Sequence, residues 1–281
     1  MPNIAFVNGK WSAISAAKVS VEDRGFQFGD GIYELIRTYR GELFHIDEHL
    51  SRLEASAKEI EIPLPYTAAQ FEKIIRLGCR KSGFAEVKIY IQVTRGAAPR
   101  LHSFPKKIEP TVVMTFRAFE PLPAKLQEEG VAVISIPDIR WGRCNVKSLN
   151  LLPNVIGREQ ALRAGAFEAI FIRDGKVTEG AGSNLFAVIG KKVITPPAGP
   201  YILSGITREV VLQIGKQRGL EMVEKELKLP QLYSADELFL TGTTVEVLPV
   251  VRLDGKPIGT GRPGEKTRFL YRAFEEQIAS K

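Results

Sequence analysis

Residues 119–123 read Phe-Glu-Pro-Leu-Pro, and this stretch constrains the fold more than any other. A proline has no backbone N–H, fixes its own φ, and pushes the residue before it out of the helical region. Neither a helix nor a central strand can run through Pro121 and Pro123, so a stiff, extended connector is expected there. Strand and helix patterns are mixed on both sides of it. Two α/β lobes follow, residues 1–120 and residues 121–281.

In the first lobe Asn3–Val7 predicts a strand and Asn8-Gly9 a turn. Asp47–Ile60 predicts a helix with Leu50, Leu53, Ala57 and Ile60 on one face, Asp47 as its cap, and Pro63 and Pro65 as its stop. A second helix is expected over Ala68–Cys79. Val87–Val93 alternates as a strand, residues 94–105 are too broken by glycine and proline to be regular, and Thr111–Phe116 is a further strand. In the second lobe Val131–Ile136 and Glu168–Ile172 predict strands, with a hairpin at Asp174-Gly175. Leu185–Ile189 and Val193–Thr195 predict a strand pair around Gly190. A helix starts near Thr207, and Leu238–Leu240 is a short strand.

Several function classes lose support at once. Lys+Arg 39 against Asp+Glu 32 leaves +7, but no three basic residues are consecutive, so the charge reads as a mixed surface and no nucleic-acid partner is expected. No apolar stretch approaches the roughly 18 residues that span a bilayer, so no membrane partner is expected either. Cys79 and Cys144 have neither CxxC nor ligand spacing, and Met1–Phe6 lacks the basic and apolar regions of a secretion signal. A reducing, cytoplasmic setting is the expectation. His45 and His49 are four apart, yet HExxH is absent, and no metal site is expected. There is no G-x-S-x-G, and neither a dinucleotide fingerprint nor a P-loop completes around Gly29-Asp30-Gly31.

Phosphate-binding segments are more promising. Ser204-Gly205-Ile206-Thr207 stands at the start of a predicted helix, where free N–H groups and a partial positive charge suit a phosphate. Thr207 either caps its own helix or also touches the anion. Thr241-Gly242-Thr243-Thr244 is a second group of hydroxyls and amides. Lys147 lies in a stretch poor in charge, Arg143–Asn150, and is either a lysine that reaches solvent or an amine tuned for covalent chemistry; the residues alone favour solvent. Glu179 precedes Gly180-Ala181-Gly182-Ser183-Asn184, small residues that admit close approach to the backbone. Arg52 lies opposite the Leu50/Leu53/Ala57 stripe, a solvent-facing position by pattern.

Eight segments in order resemble one family, the fold-type IV pyridoxal-phosphate enzymes, and within it the D-amino acid aminotransferases. They are Asp23–Glu34, His49–Leu53, Val93–Gly96 with Pro99–Pro105, Asp138–Trp141, Lys147–Asn150, Thr178–Gly180 with Ser183-Asn184, Leu203–Arg208, and Thr241–Thr244 with Glu246. The resemblance runs essentially end to end. It implies a two-domain α/β (α+β) fold with pyridoxal 5'-phosphate at the domain interface, and a homodimer. Lys147 matches the lysine that carries the cofactor and shuttles the substrate's proton, and Glu179 the carboxylate facing the pyridine nitrogen. Arg52, Ile206, Thr207 and Thr243 match the phosphate contacts, and Leu203 a residue packed on the ring. Tyr33, Arg100 and His102 match a trap for the substrate carboxylate, the last two reaching in from the neighbouring subunit. The implied reaction is reversible transamination between a D-amino acid, such as D-alanine, and a 2-oxo acid, such as 2-oxoglutarate.

Branched-chain L-aminotransferases, dual-specificity transaminases and aminodeoxychorismate lyases share the cofactor machinery and are the rival enzymes. A cofactor-free anion- or nucleic-acid-binding module is the rival from another class. Ala181-Gly182 stands where serines are often found, and Gly142 and Gly242 are smaller than is usual. These differences bear on the substrate side chain and on the strictness of D over L selectivity.

Overall fold

A computed structural model describes residues 3–279, which fall into two compact units. The first unit ends at Glu120 but also contains Val146–Asn150; the second comprises Pro121–Asn145 and the chain from Leu151 onward. The division at residue 121 assigns Lys147 to the second lobe; the structure instead packs Val146–Asn150 with the first.

The first unit contains β1 (Ile4–Val7), β2 (Lys10–Ala13), α1 (Arg24–Phe28), β3 (Gly31–Tyr39), β4 (Glu42–Leu43), α2 (Ile46–Glu59), α3 (Ala68–Ser82), β5 (Val87–Thr94) and β6 (Thr111–Ala118). The strands form an antiparallel sheet in the order β2-β1-β6-β5-β3-β4. Its face is set by alternation: Val87, Ile89, Ile91 and Val93 of β5 are buried, while Lys88, Tyr90 and Gln92 between them are half-buried. Leu50, Leu53 and Ala57 of α2 and Phe71 and Ile75 of α3 join the buried set. Asp47 does not cap α2: that position is His45, in the left-handed conformation and without a side-chain cap bond. Asp47 stands in the first turn, where its charge complements the helix dipole.

Val146–Asn150 continues this sheet at the free edge of β3. Tyr33 N–H donates to Lys147 O at 2.9 Å, Leu149 N–H donates to Gly31 O at 2.9 Å, and Ile32 bridges Ser148. Lys147 N–H in turn donates to Ser56 Oγ of α2 at 3.2 Å.

The second unit contains α4 (Ala124–Glu129), β7 (Val131–Pro137), α5 (Leu152–Arg163), β8 (Glu168–Arg173), β9 (Lys176–Gly180), β10 (Asn184–Ile189), β11 (Lys192–Thr195), α6 (Ile206–Gln217), β12 (Glu221–Glu224), α7 (Leu229–Tyr233), β13 (Glu237–Gly242), β14 (Glu246–Leu253), β15 (Lys256–Pro257) and α8 (Glu265–Ala279). Its mixed sheet runs β12-β11-β10-β13-β14-β7-β8-β9, with β15 paired to β14. Asp174 and Gly175 both take positive φ, 51° and 74°, which gives the β8–β9 hairpin the tight turn the dipeptide predicts. Val133, Ile170, Leu185, Leu238, Leu240, Leu248 and Leu253 build the core. Among the described residues no helix is long and apolar enough to cross a membrane.

Candidate active site

In the first unit the sequence Ile32-Tyr33-Glu34-Leu35-Ile36 puts one acid inside an apolar strand, and Glu34 is 0% exposed. An isolated buried carboxylate would be costly, so its neighbours must compensate. On α2, His49 and Arg52 are three residues apart and therefore share a face. Arg52 donates from Nε to Glu34 Oε1 at 2.7 Å and from a terminal nitrogen to Oε2 at 2.9 Å; His49 Nδ1 lies 2.8 Å from the same Oε2. Burial pushes the Glu34 carboxyl up, but the charge and hydrogen bonds of Arg52, followed by those of His49, hold it well below the usual carboxylate range. Burial dominates at His49 and lowers it despite Glu34, and the charges of Arg52 and Lys147 add to that shift. The Lys147 ammonium sits 4.3 Å above the Tyr33 ring.

This network makes the fold acid-sensitive. Burial disfavours the protonated form of His49 in the fold, whereas the unfolded chain protonates it near its ordinary 6.5. As pH falls through that value the unfolded state binds the extra proton, so stability declines. Glu34, depressed in the fold, adds a loss of the same sign as pH drops below about 4.5. We expect the urea midpoint to fall between pH 7 and pH 5, and to fall less steeply in His49→Asn. Identical slopes for variant and wild type would assign the acid sensitivity to other groups.

In the second unit Glu179 lies on β9, buried, where its carboxylate meets three donors from separate segments. Arg140 donates to Oε1, while Asn184 Nδ2 and Leu203 N–H each donate to Oε2 at 3.0 Å. Arg140 is itself fixed by the two Asp138 carboxylate oxygens, both at 2.9 Å, by Thr178 Oγ1 at 3.1 Å and by Tyr201 O at 3.0 Å. Burial raises Asp138, but hydrogen bonds from Arg140 and then Arg173 bring it down to about 2, so the pair stays ionised. Asn184 also donates to Leu203 O at 2.9 Å, tying the strand start to the segment that enters α6. There Gly205 occupies the capping position without a side-chain cap, and a Cβ on it would fall 2.0 Å from Asn184 Oδ1. The helix start is thus bare backbone followed by half-buried Ile206 and buried Thr207, a geometry suited to a phosphate.

The structure brings the expected residues together in two groups. In the first unit Arg52 is held by Glu34 and the Lys147 amine lies over the Tyr33 ring, and the same unit carries Arg100 and His102 on an exposed loop. Their side chains lean on Phe28, with the Arg100 guanidinium 4.5 Å and the His102 ring 5.5 Å from its ring centre. Glu179, Leu203, Ile206 and Thr207 form the second group, and Thr243 follows Gly242, whose Cβ position would lie 3.6 Å from Gly182 O. Arg52, expected in solvent by pattern, has a side chain only 12% exposed. Glu34, His49, Asp138, Arg140 and Asn184 are absent from the expected set. The lone acid in an apolar strand was the available signal for Glu34; His49, Asp138, Arg140 and Asn184 lie in the segments of the family resemblance, but nothing in their local pattern marks them. Among the described residues no cluster of three or more His, Cys, Asp or Glu side chains could hold a metal ion.

Comparison with known proteins identifies the class. The Amino-transferase class IV family profile matches residues 31–253, and the chain belongs to that family. It is 45% identical over 278 residues to a D-alanine aminotransferase of Bacillus licheniformis, covering 97% of this chain and 96% of that protein. It is 43% identical over 275 residues to a D-alanine aminotransferase of Staphylococcus epidermidis, covering 98% of each. The fold superimposes on the crystal structure of the Escherichia coli branched-chain amino acid aminotransferase with a TM-score of 0.94 at 28% identity, over 99% of this chain and 95% of that one. A Thermoproteus uzoniensis branched-chain aminotransferase with norvaline gives 0.90, also at 28% identity, over 99% and 95% of the two chains.

Proposed function

We propose that this aminotransferase uses pyridoxal 5'-phosphate to exchange the amino group of a D-amino acid, with D-alanine as type donor, for the oxygen of a 2-oxo acid such as 2-oxoglutarate. The observation that carries the reading is 42–45% identity to D-alanine aminotransferases across nearly the whole chain, against 28% to the branched-chain enzymes of the same fold. Solved relatives include a branched-chain aminotransferase with pyridoxamine 5'-phosphate.

The residues present fit the cofactor. A Cβ at Gly205 would strike Asn184, the residue that donates to Glu179, so glycine is needed for this close approach, and no side chain caps the first amides of α6 against a phosphate. We assign the phosphate to Arg52, Ile206, Thr207 and Thr243, the ring face to Leu203, the ring nitrogen to Glu179 and the covalent attachment to Lys147. The cofactor, when bound, supplies an electron sink for the pair left on Cα when the substrate's α-proton leaves. Glu179, kept anionic by three donors, holds a proton on the nitrogen it faces. Glu34 holds the Arg52 guanidinium in a fixed orientation. Lys147 Nζ takes the proton from Cα, and Tyr33 with Arg100 and His102 of the neighbouring subunit orients the carboxylate, which decides the hand that is accepted.

That assignment requires a homodimer, and exposed apolar side chains support one: Leu152, Val155 and Leu162 on α5, and Leu101 and Phe104 on the loop. The free thiols of Cys79 and Cys144 support a reducing, cytoplasmic setting. The test is a donor panel with 2-oxoglutarate. D-alanine should exceed L-leucine in kcat/KM by at least about 100-fold. A preference for L-leucine would make this a branched-chain enzyme, and release of pyruvate from aminodeoxychorismate with no 2-oxo acid present would make it a lyase.

A further inference from the structure

The loop from Gly96 to Pro105, exposed over residues 99–104, carries Arg100 and His102 and forms neither helix nor strand. Two almost fully buried arginines are nevertheless committed to it. Arg24, on α1 and 3% exposed, donates from one terminal nitrogen to Leu101 O at 2.6 Å and Ser103 O at 3.4 Å, and from the other to His102 O at 3.4 Å. Its Nε donates to Asp30 Oδ2 at 2.8 Å. The same oxygen accepts from Arg95 Nε at 2.8 Å. Arg95 in turn stacks 3.5 Å from the Phe104 ring centre and donates to Ile60 O at 2.6 Å and Glu61 O at 2.7 Å, just past the end of α2.

We propose that Arg24, Asp30 and Arg95 form a clasp that positions the Arg100–His102 loop for the substrate carboxylate and references it to α2, the helix that carries Arg52. The proposal rests on the reading that this loop binds that carboxylate. One carboxylate oxygen orients two guanidiniums, and each planar fork then holds several acceptors at fixed angles. Three successive carbonyls are gripped, and each residue that flanks the gripped stretch makes a cation–π contact: the Arg100 guanidinium over the Phe28 ring, and the Phe104 ring under the Arg95 guanidinium. A loop fastened through its carbonyls does not use the Arg100 and His102 side chains for the fastening; these rest on Phe28, and Arg100 also donates to Gln27 O at 3.4 Å. A lysine at position 24 keeps the charge beside Asp30 but cannot grip three carbonyls and a carboxylate together. Arg24, Asp30 and Arg95 are positioning residues, because they act through the loop.

The test uses the holoenzyme with D-alanine and 2-oxoglutarate, and follows KM, kcat and the cofactor dissociation constant. Arg24→Lys should raise KM for D-alanine about tenfold or more, while kcat stays within about twofold and cofactor affinity is unchanged. Phe104→Leu, at an exposed position, leaves the buried charges intact and should shift KM the same way to a smaller extent. It supplies the answer if the buried variant does not fold. Arg100→Leu, measured alongside, separates the two levels. If Arg100→Leu raises KM and neither clasp variant does, the clasp is overturned and the carboxylate reading stands. If Arg100→Leu also leaves KM unchanged, the carboxylate reading fails and the clasp with it. A loss spread equally over KM, kcat and cofactor affinity would mean a general lesion, and would likewise overturn the proposal.

Discussion

If Lys147 has the role proposed above, Lys147→Ala is expected to lower kcat for D-alanine by roughly 10^4-fold, because one amine would then both attach the cofactor and move the substrate's proton. The backbone around it is held on both sides: Tyr33 donates to its carbonyl, its own N–H donates to Ser56 Oγ, and Ser148 bridges Ile32. Only the side chain remains free, with its ammonium resting above the Tyr33 ring. The substitution therefore removes chemistry with little change to the sheet edge. Borohydride reduction followed by peptide mass mapping provides a check that does not depend on activity. Wild type should carry a cofactor-derived mass on the peptide containing Lys147, and the variant should carry none. Label on another lysine, or a variant kcat within about tenfold of wild type, would remove Lys147 from its role.

Glu179→Gln should cost roughly 10^2- to 10^3-fold in kcat. The native carboxylate accepts from Arg140, Asn184 and the Leu203 amide, all of them donors. An amide at this position must turn its own N–H₂ toward one of those donors, so it loses charge and hydrogen bonds together. Arg140 would then rest on Asp138 with a buried positive charge no longer matched from the other side, and the melting temperature should fall as well. Steady-state kinetics at saturating cofactor, with a thermal melt of each protein, separate the two losses. A kcat within about threefold of wild type would overturn the proposal that the Glu179 charge serves the ring nitrogen.

Local pattern revealed what depends on local pattern. The alternation from Val87 to Val93, the Leu50/Leu53/Ala57 stripe and the Asp174-Gly175 turn were all readable, because burial period and turn chemistry are written in adjacent residues. Helix α5 was not, since Leu152, Val155 and Leu162 are exposed while Gly157 and Ala161 are buried, which leaves no apolar stripe to detect. Arg52 shows the deeper limit. A helical period separates polar from apolar faces, but whether a polar face meets water or a buried acid depends on Glu34, eighteen positions away on another element. Lys147 likewise looked like a solvent lysine from its neighbours alone; its place beside Tyr33 comes from strand pairing over more than a hundred residues. The roles proposed for the site residues come only from the family resemblance, and the contacts by which Asp138 holds Arg140 and Asn184 holds Leu203 required the fold.

The detour of Val146–Asn150 into the first unit also has a bearing on how such an enzyme is made and inherited. On a ribosome, the backbone groups of Gly31 and Tyr33 wait for partners until residues near 150 have emerged, well after the stretch up to Glu120 could otherwise close. A gene exchange cut at the proline connector would part Lys147 from Tyr33, Arg52 and the edge that seats it. A half traded alone would leave Val146–Asn150 without the β3 edge on which Lys147 is seated.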